Sequence, residues 1–104
     1  MKRISPHNAQ QRLSAGDACL VDVREAAELE MARLDPALHI PMAQLPQSLT
    51  QLPRERDLIM LCHHGIRSAM AADFLERNGF ERVLNLEGGI DAWSREVDPQ
   101  IPRY

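Results

Sequence analysis

The sequence predicts an α/β fold: a mainly parallel central sheet with helices on both faces. Three apolar, β-branched runs, at residues 18–23, 58–61 and 82–86, alternate with stretches whose apolar residues recur at helical spacing. Strands separated by helices need crossover connections, and crossovers produce parallel neighbours with both faces covered. The chain of 104 residues, 44% hydrophobic and 26% charged, suits one soluble domain with one core, spanning residues 1–104.

The elements follow in order. Lys2 to Ile4 reads as a short edge strand, and Ser5-Pro6 as a helix start, with a serine N-cap and proline at the first helical position. That helix runs to about Ser14, and Gly16 stops it. Ala18 to Val23 is the next strand, with Cys19 as a small core hydrophobe. Glu25 to Met31 has helical composition, and Glu28, four residues after Arg24, predicts an ion pair that pins the strand-end loop. Leu38 and Ile40 flank His39 in a proline-rich stretch, predicting a very short strand with His39 facing away from its two neighbours. Leu45, Leu49 and Leu52 suggest a loose helix starting near Pro46 and closed by Pro53. Asp57 to Leu61 is the central strand. Beyond it Met70, Ala71, Phe74 and Leu75 form the apolar stripe of a helix that ends at Asn78-Gly79. Arg82 to Leu86 is a further strand, Gly88-Gly89 turns into a short helix through Trp93, and Asp98 to Pro102 is an irregular tail.

Composition bounds the function. A net charge of -3 gives no basic surplus for nucleic acid or an anionic membrane surface. No stretch has the apolar length of a membrane span, and the first residues lack the apolar core of a signal peptide, so a cytoplasmic location is expected. The two cysteines, Cys19 and Cys62, are read separately, since a reducing cytosol disfavours a structural disulfide.

Ligands of parallel α/β sheets bind beyond the carboxyl ends of the strands. Three loops are therefore expected to converge on one edge: 22–25, 62–68 and 87–89. The second, Cys62-His63-His64-Gly65-Ile66-Arg67-Ser68, joins the most strand-like run to the most helix-like one. A cysteine at such a junction meets main-chain N–H groups and the positive end of a helix dipole, which favour an anionic thiolate. Arg67 and the two histidines add cationic or proton-donating character, and Gly65 permits the tight bend. Glycine, arginine, serine and histidines are poor core material, so an active thiol is the better reading than a buried structural one. A metal site from Cys62, His63 and His64 is disfavoured because adjacent side chains diverge and no second ligand cluster exists.

These residues resemble the single-domain rhodaneses, thiosulfate or persulfide sulfurtransferases. The resemblance spans nearly the whole chain and rests on Asp22-Val23-Arg24-Glu25, Ala37 with Ile40-Pro41, Cys62-x-x-Gly65-x-Arg67-Ser68, Gly79-Phe80 and Leu86-x-Gly88-Gly89-x-x-x-Trp93. It implies a single rhodanese-like domain in which Cys62 is the nucleophile and sulfur carrier. The loop His63, His64, Gly65, Ile66, Arg67 and Ser68 would then hold the persulfide and its donor. Arg67 either attracts an anionic donor or braces the loop. The resemblance implies no cofactor and no metal, a small sulfur donor such as thiosulfate, and a thiophilic acceptor such as cyanide or a protein thiol or persulfide partner. The family's usual Gly-His-Ile before the middle proline segment is here Ala32-Arg33-Leu34. Two alternatives stand beside it: a non-catalytic rhodanese-like module that binds a partner or senses a signal, against which the presence of Cys62 argues, and a cysteine-dependent phosphatase or arsenate reductase. The related phosphatases place five residues between cysteine and arginine, whereas four separate Cys62 from Arg67, a ring sized for a sulfur atom rather than a tetrahedral oxyanion.

Overall fold

A computed structural model describes residues 1–104. The elements are β1 (Lys2–Ile4), α1 (Pro6–Ser14), β2 (Ala18–Asp22), α2 (Ala26–Met31), β3 (Leu38–His39), two 3-10 helices (Met42–Gln47 and Leu49–Gln51), β4 (Asp57–Leu61), α3 (Ile66–Arg77), β5 (Val83–Leu86) and α4 (Gly89–Glu96). The five strands form one sheet in the order β1-β5-β4-β2-β3, and every neighbouring pair is parallel.

β4 lies at the centre, and its side chains explain the layering. Successive strand residues point to opposite faces. Leu58, Met60 and Cys62 enter one core with Val21, Val23, Ile40, Ala71, Ala72, Leu75 and Val83. Ile59 and Leu61 enter the other with Ala9, Leu20, Leu86, Ile90 and Trp93. Thus α3 and the 3-10 segment cover one face, while α1 and α4 cover the other. Burying each large aliphatic side chain of β4 stabilises the fold by roughly 1.5–3 kcal/mol, which makes this strand the anchor for whatever follows it.

Local chemistry sets the element ends. The Ser5 side chain accepts from Asn8 N at 3.2 Å with Pro6 at the first helical position, as the sequence predicts. At α2, Glu25 and Glu28 form a reciprocal capping box. The segment around Leu45 departs from expectation: it is 3-10 rather than α-helical and begins at Met42, with Pro46 inside the first helix. Pro46 has no N–H to donate and its ring crowds the carbonyl four residues back, so a continuous α-helical ladder cannot run through this stretch, which is built of short 3-10 turns. Leu45 and Leu52 are nevertheless buried, so the periodicity marked the right face. Met70 is a second correction. It is 61% exposed, whereas the other residues of the predicted stripe face the core, Ala71 and Leu75 buried and Phe74 packed against it, joined by Ser68 and Ala72. The Ala32-Arg33-Leu34 connection places Ala32 and Leu34 in the second core, with Arg33 outside.

Candidate functional site

Cys62 is the first residue after β4, and the register of that strand fixes its direction. Continuing the alternation of Leu58 and Met60, it points into the first core and is only 1% exposed. Its Sγ is polar-contacted from two sides. Gly65 N–H donates to it at 3.1 Å, and the Ser68 hydroxyl oxygen lies 3.3 Å away. Ser68 is the third residue of α3, whose first backbone bond runs from Ala69 N to Gly65 O at 3.3 Å. The N–H groups of Ile66, Arg67 and Ser68 precede that bond and so have no acceptor within the helix; with the dipole they make this end of α3 receptive to negative charge.

Buried scaffolding holds the loop in shape. Asn85 of β5, buried among apolar strand residues, donates from Nδ2 to Gly65 O at 3.0 Å and accepts at Oδ1 from Ser68 at 2.6 Å. On the other side α4 grips the loop carbonyls: Ile90 N–H donates to Cys62 O at 2.9 Å and Asp91 N–H to His63 O at 3.1 Å. With the carbonyls drawn towards α4, the loop can turn N–H groups towards the sulfur. Two glycines make this approach feasible. Gly65 has φ of 97°, a left-handed conformation that L side chains disfavour. A Cβ on Gly89 would overlap the Cys62 and His63 carbonyls.

Around the rim stands a network of ion pairs. Arg67 makes a bidentate pair with Glu28 of α2, Nη1 to Oε1 at 2.7 Å and Nη2 to Oε2 at 2.8 Å. Glu25 N–H also donates to Oε1 at 3.1 Å, and the Tyr104 hydroxyl donates to Oε2 at 2.8 Å. The Arg67 bonds, chiefly, lower the Glu28 pKa to about 2 and raise that of Arg67. The predicted Arg24–Glu28 carboxylate pair does not form. Arg24 is fully buried and bonds Asp22 through Nε and Nη2, the latter at 2.7 Å, then Ala32 O at 2.9 Å and the Tyr104 hydroxyl at 2.9 Å. Arg24 precedes the helix, so the four-residue spacing to Glu28 does not bring the side chains to one helical face; only the Glu28 carbonyl lies near, at 3.4 Å. Burial opposes the Arg24 charge, but the contacts with Asp22 and Tyr104 together outweigh it and raise its pKa.

The remaining loop residues divide by exposure. His64 and Ile66 face outward, Ile66 at 73%. His63 is half-buried, stacks on the Tyr104 ring at 3.8 Å between centroids, and has Nε2 2.6 Å from Tyr104 O. His63, His64 and Asp91 bring potential metal-ligand atoms within 4.8 Å of one another. Cys62 is not among them, and the Asp91 carboxylate is taken up by Arg103 at 2.9 Å and Arg95 at 3.3 Å, which hold it below the usual carboxylate range. His39 faces away from Leu38 and Ile40, its Nε2 2.7 Å from Arg24 O. Cys19 is half-buried and packs against the first core; burial pushes its thiol pKa up, although the nearby Arg56 opposes this. A groove of about 740 Å³ lined by Cys19, Leu34, Leu38, Trp93 and Ile101 does not include Cys62.

All three predicted loops therefore meet at one sheet edge. Sequence reasoning passed over Asn85, Asp91 and Tyr104. Asn85 had a readable signal, a polar residue inside an apolar strand; Tyr104 and Asp91 had none.

Together, β4, its loop and α3 define a parallel α/β domain that seats a buried thiol between the Gly65 N–H and the Ser68 hydroxyl at the start of a helix. The comparisons agree with this class. The family model described as Rhodanese-like domain matches residues 5–96, and the chain belongs to that family. It is similar to a sulfurtransferase of Allochromatium vinosum, 38% identical over 102 residues covering 97% of this chain and 95% of that one. It also resembles the thiosulfate sulfurtransferase GlpE of Actinobacillus pleuropneumoniae, at 33% identity over 97% of this chain and 94% of the other. Among solved structures, a rhodanese-related protein from Thermoplasma volcanium superposes with a TM-score of 0.87 at 28% identity, each chain covered fully. No helix is long and apolar enough to cross a membrane.

Proposed function

We propose that the protein is a sulfurtransferase that carries sulfane sulfur as a persulfide on Cys62. The observation that supports this most directly is the Sγ itself, buried beneath the first turn of α3, with Gly65 N–H and the Ser68 hydroxyl within hydrogen-bond reach. The relatives named as sulfurtransferases supply the reaction class.

In the first half-reaction the Cys62 thiolate attacks the outer sulfur of thiosulfate. The S–S bond of the donor breaks, its electron pair leaves with sulfite, and Cys62 holds the persulfide. An organic persulfide, R–S–S–H, reacts in the same way and releases its thiolate. In the second half-reaction a nucleophile attacks the outer sulfur and Cys62 leaves as thiolate; cyanide gives thiocyanate, and a thiolate gives a new persulfide. Gly65 N–H, Ser68 and the free N–H groups of Ile66 and Arg67 stabilise the negative sulfur in each state. No electron source is needed, because the sulfur keeps its formal oxidation level through both exchanges.

Mass spectrometry after treatment with excess thiosulfate or an organic persulfide tests the reading. Wild type is expected to gain the mass of one sulfur atom, Cys62→Ser to gain none, and Cys19→Ser to behave as wild type. A protein that takes up no sulfur from either donor, or takes it up without Cys62, excludes the proposal.

A further inference from the structure

Arg67 is the one permanent cation in the loop, yet its charge is matched. Two of its five N–H donors go to Glu28, and the Glu28 carboxylate is itself saturated by four donors: Arg67 twice, Glu25 N–H and the Tyr104 hydroxyl. Tyr104 in turn accepts from Arg24, which is locked to Asp22. The pair is therefore held from both sides, and the carboxylate has no unfilled contact that would let it release Arg67 cheaply. A dianion approaching the rim meets a neutral pair on a protein whose net charge is -3. A second observation concerns the rim surface. Ile66, which opens α3, and Met70, four residues on along the same helical face, are 73% and 61% exposed. An organic donor can cover these side chains as it approaches the loop, whereas a small hydrated anion gains nothing from them.

We propose that Glu28 is a specificity-determining residue: by closing Arg67 into an ion pair at the rim of the Cys62 loop, it disfavours dianionic thiosulfate and favours sulfur presented on an organic thiol as R–S–S–H. The inference rests on Cys62 being the sulfur carrier. The transfer is balanced as before: the Cys62 thiolate takes the outer sulfur with its proton, giving Cys62–S–S–H, and the donor leaves as R–S⁻.

The test compares Cys62 loading rates with thiosulfate and with 2-hydroxyethyl persulfide across variants. Glu28→Gln keeps the side-chain shape and removes the charge. Its efficiency with thiosulfate, relative to that with the persulfide, is expected to rise roughly tenfold over wild type. The double variant Glu28→Gln with Arg67→Gln is expected to lose that gain, because the freed cation produces it. In wild type, added salt should leave thiosulfate loading unchanged or raise it, whereas in Glu28→Gln added salt should lower it. An unchanged donor ratio in Glu28→Gln, a gain that persists in the double variant, or wild-type thiosulfate loading that falls steeply with salt would each overturn the inference while leaving the sulfur carrier intact. Failure of both donors to load wild type removes the carrier reading and the donor preference together.

Discussion

Ser68 has one hydroxyl proton and two acceptors for it. The Asn85 Oδ1 lies at 2.6 Å and the Cys62 Sγ at 3.3 Å, so with a neutral thiol the proton rests on the amide oxygen. Negative charge on sulfur makes it the competing acceptor, since hydrogen bonds to charged groups are the stronger kind. Ser68→Ala removes this support and leaves Asn85 Oδ1 without its buried donor. Such bonds contribute about 1.5–3 kcal/mol, so sulfur loading by the folded variant is expected to slow by roughly tenfold to a hundredfold. Single-turnover mass spectrometry measures it, and a rate equal to wild type would show that Gly65 N–H and the helix end suffice. At this scale the sequence was informative about Cys62 and its loop because the motif is contiguous. It said nothing of Asn85's partners, since a polar residue in a strand does not announce what lies across the sheet.

Among the elements, the Arg67–Glu28 pair is a clasp between the start of α3 and the half-buried side of α2, a six-residue helix with no fully buried residue of its own. Helices this short are marginal alone, so α2 depends on such contacts for its position. The pH dependence follows from the Glu28 pKa, depressed to about 2 from its ordinary 4.5 chiefly by Arg67. A depressed carboxylate contributes stability that is present above its unfolded value and lost as pH falls through the folded one. Glu28→Gln is therefore expected to be less stable than wild type at neutral pH, with the gap closing as the pH drops from about 4.5 towards 2. Urea unfolding of both proteins across that range measures this; a constant gap would mean that the charge of Glu28 does not contribute. The element boundaries were largely readable from caps and punctuation: Ser5-Pro6 opens α1, and Asn78-Gly79 ends α3. The clasp was not. Spacing along the chain pointed Glu28 at Arg24, four residues away, while its partner lies 39 residues on, chosen by topology rather than by local periodicity. The stretch near Pro46 misled for the converse reason: leucine spacing locates a buried face but does not distinguish α from 3-10 winding when proline interrupts it.

For the whole molecule, the central position of β4 ties site geometry to global stability. Ile59 is completely buried on the face opposite Cys62, paired in register with Leu20 and Leu84. Ile59→Ala is expected to cost about 2–5 kcal/mol of unfolding free energy in a urea titration. Because Ile59 lies on the far face, the folded fraction should still take up sulfur, whereas loss of uptake in a folded variant would mean that the two cores are coupled through the strand. The alternating pattern of strands and helices made the parallel sheet legible at this scale, and with it the edge where loops 22–25, 62–68 and 87–89 meet. The strand order was less accessible, since β1 and β3 offer only three and two residues and little pattern to place them.

The buried bridge through Asn85 makes the sheet interior a listener. Its amide holds the Ser68 hydroxyl at one end and the Gly65 carbonyl at the other, bridging the last residue and the middle of the loop that encloses the sulfur. A change of charge on the sulfur is expected to alter how the Ser68 hydroxyl divides between its two acceptors, and so to reach Asn85, which does not itself touch the sulfur. If Cys62 carries sulfur as proposed, loading is expected to shift the resonance of the Asn85 side-chain amide, which the NMR spectrum of the protein before and after sulfur uptake would measure.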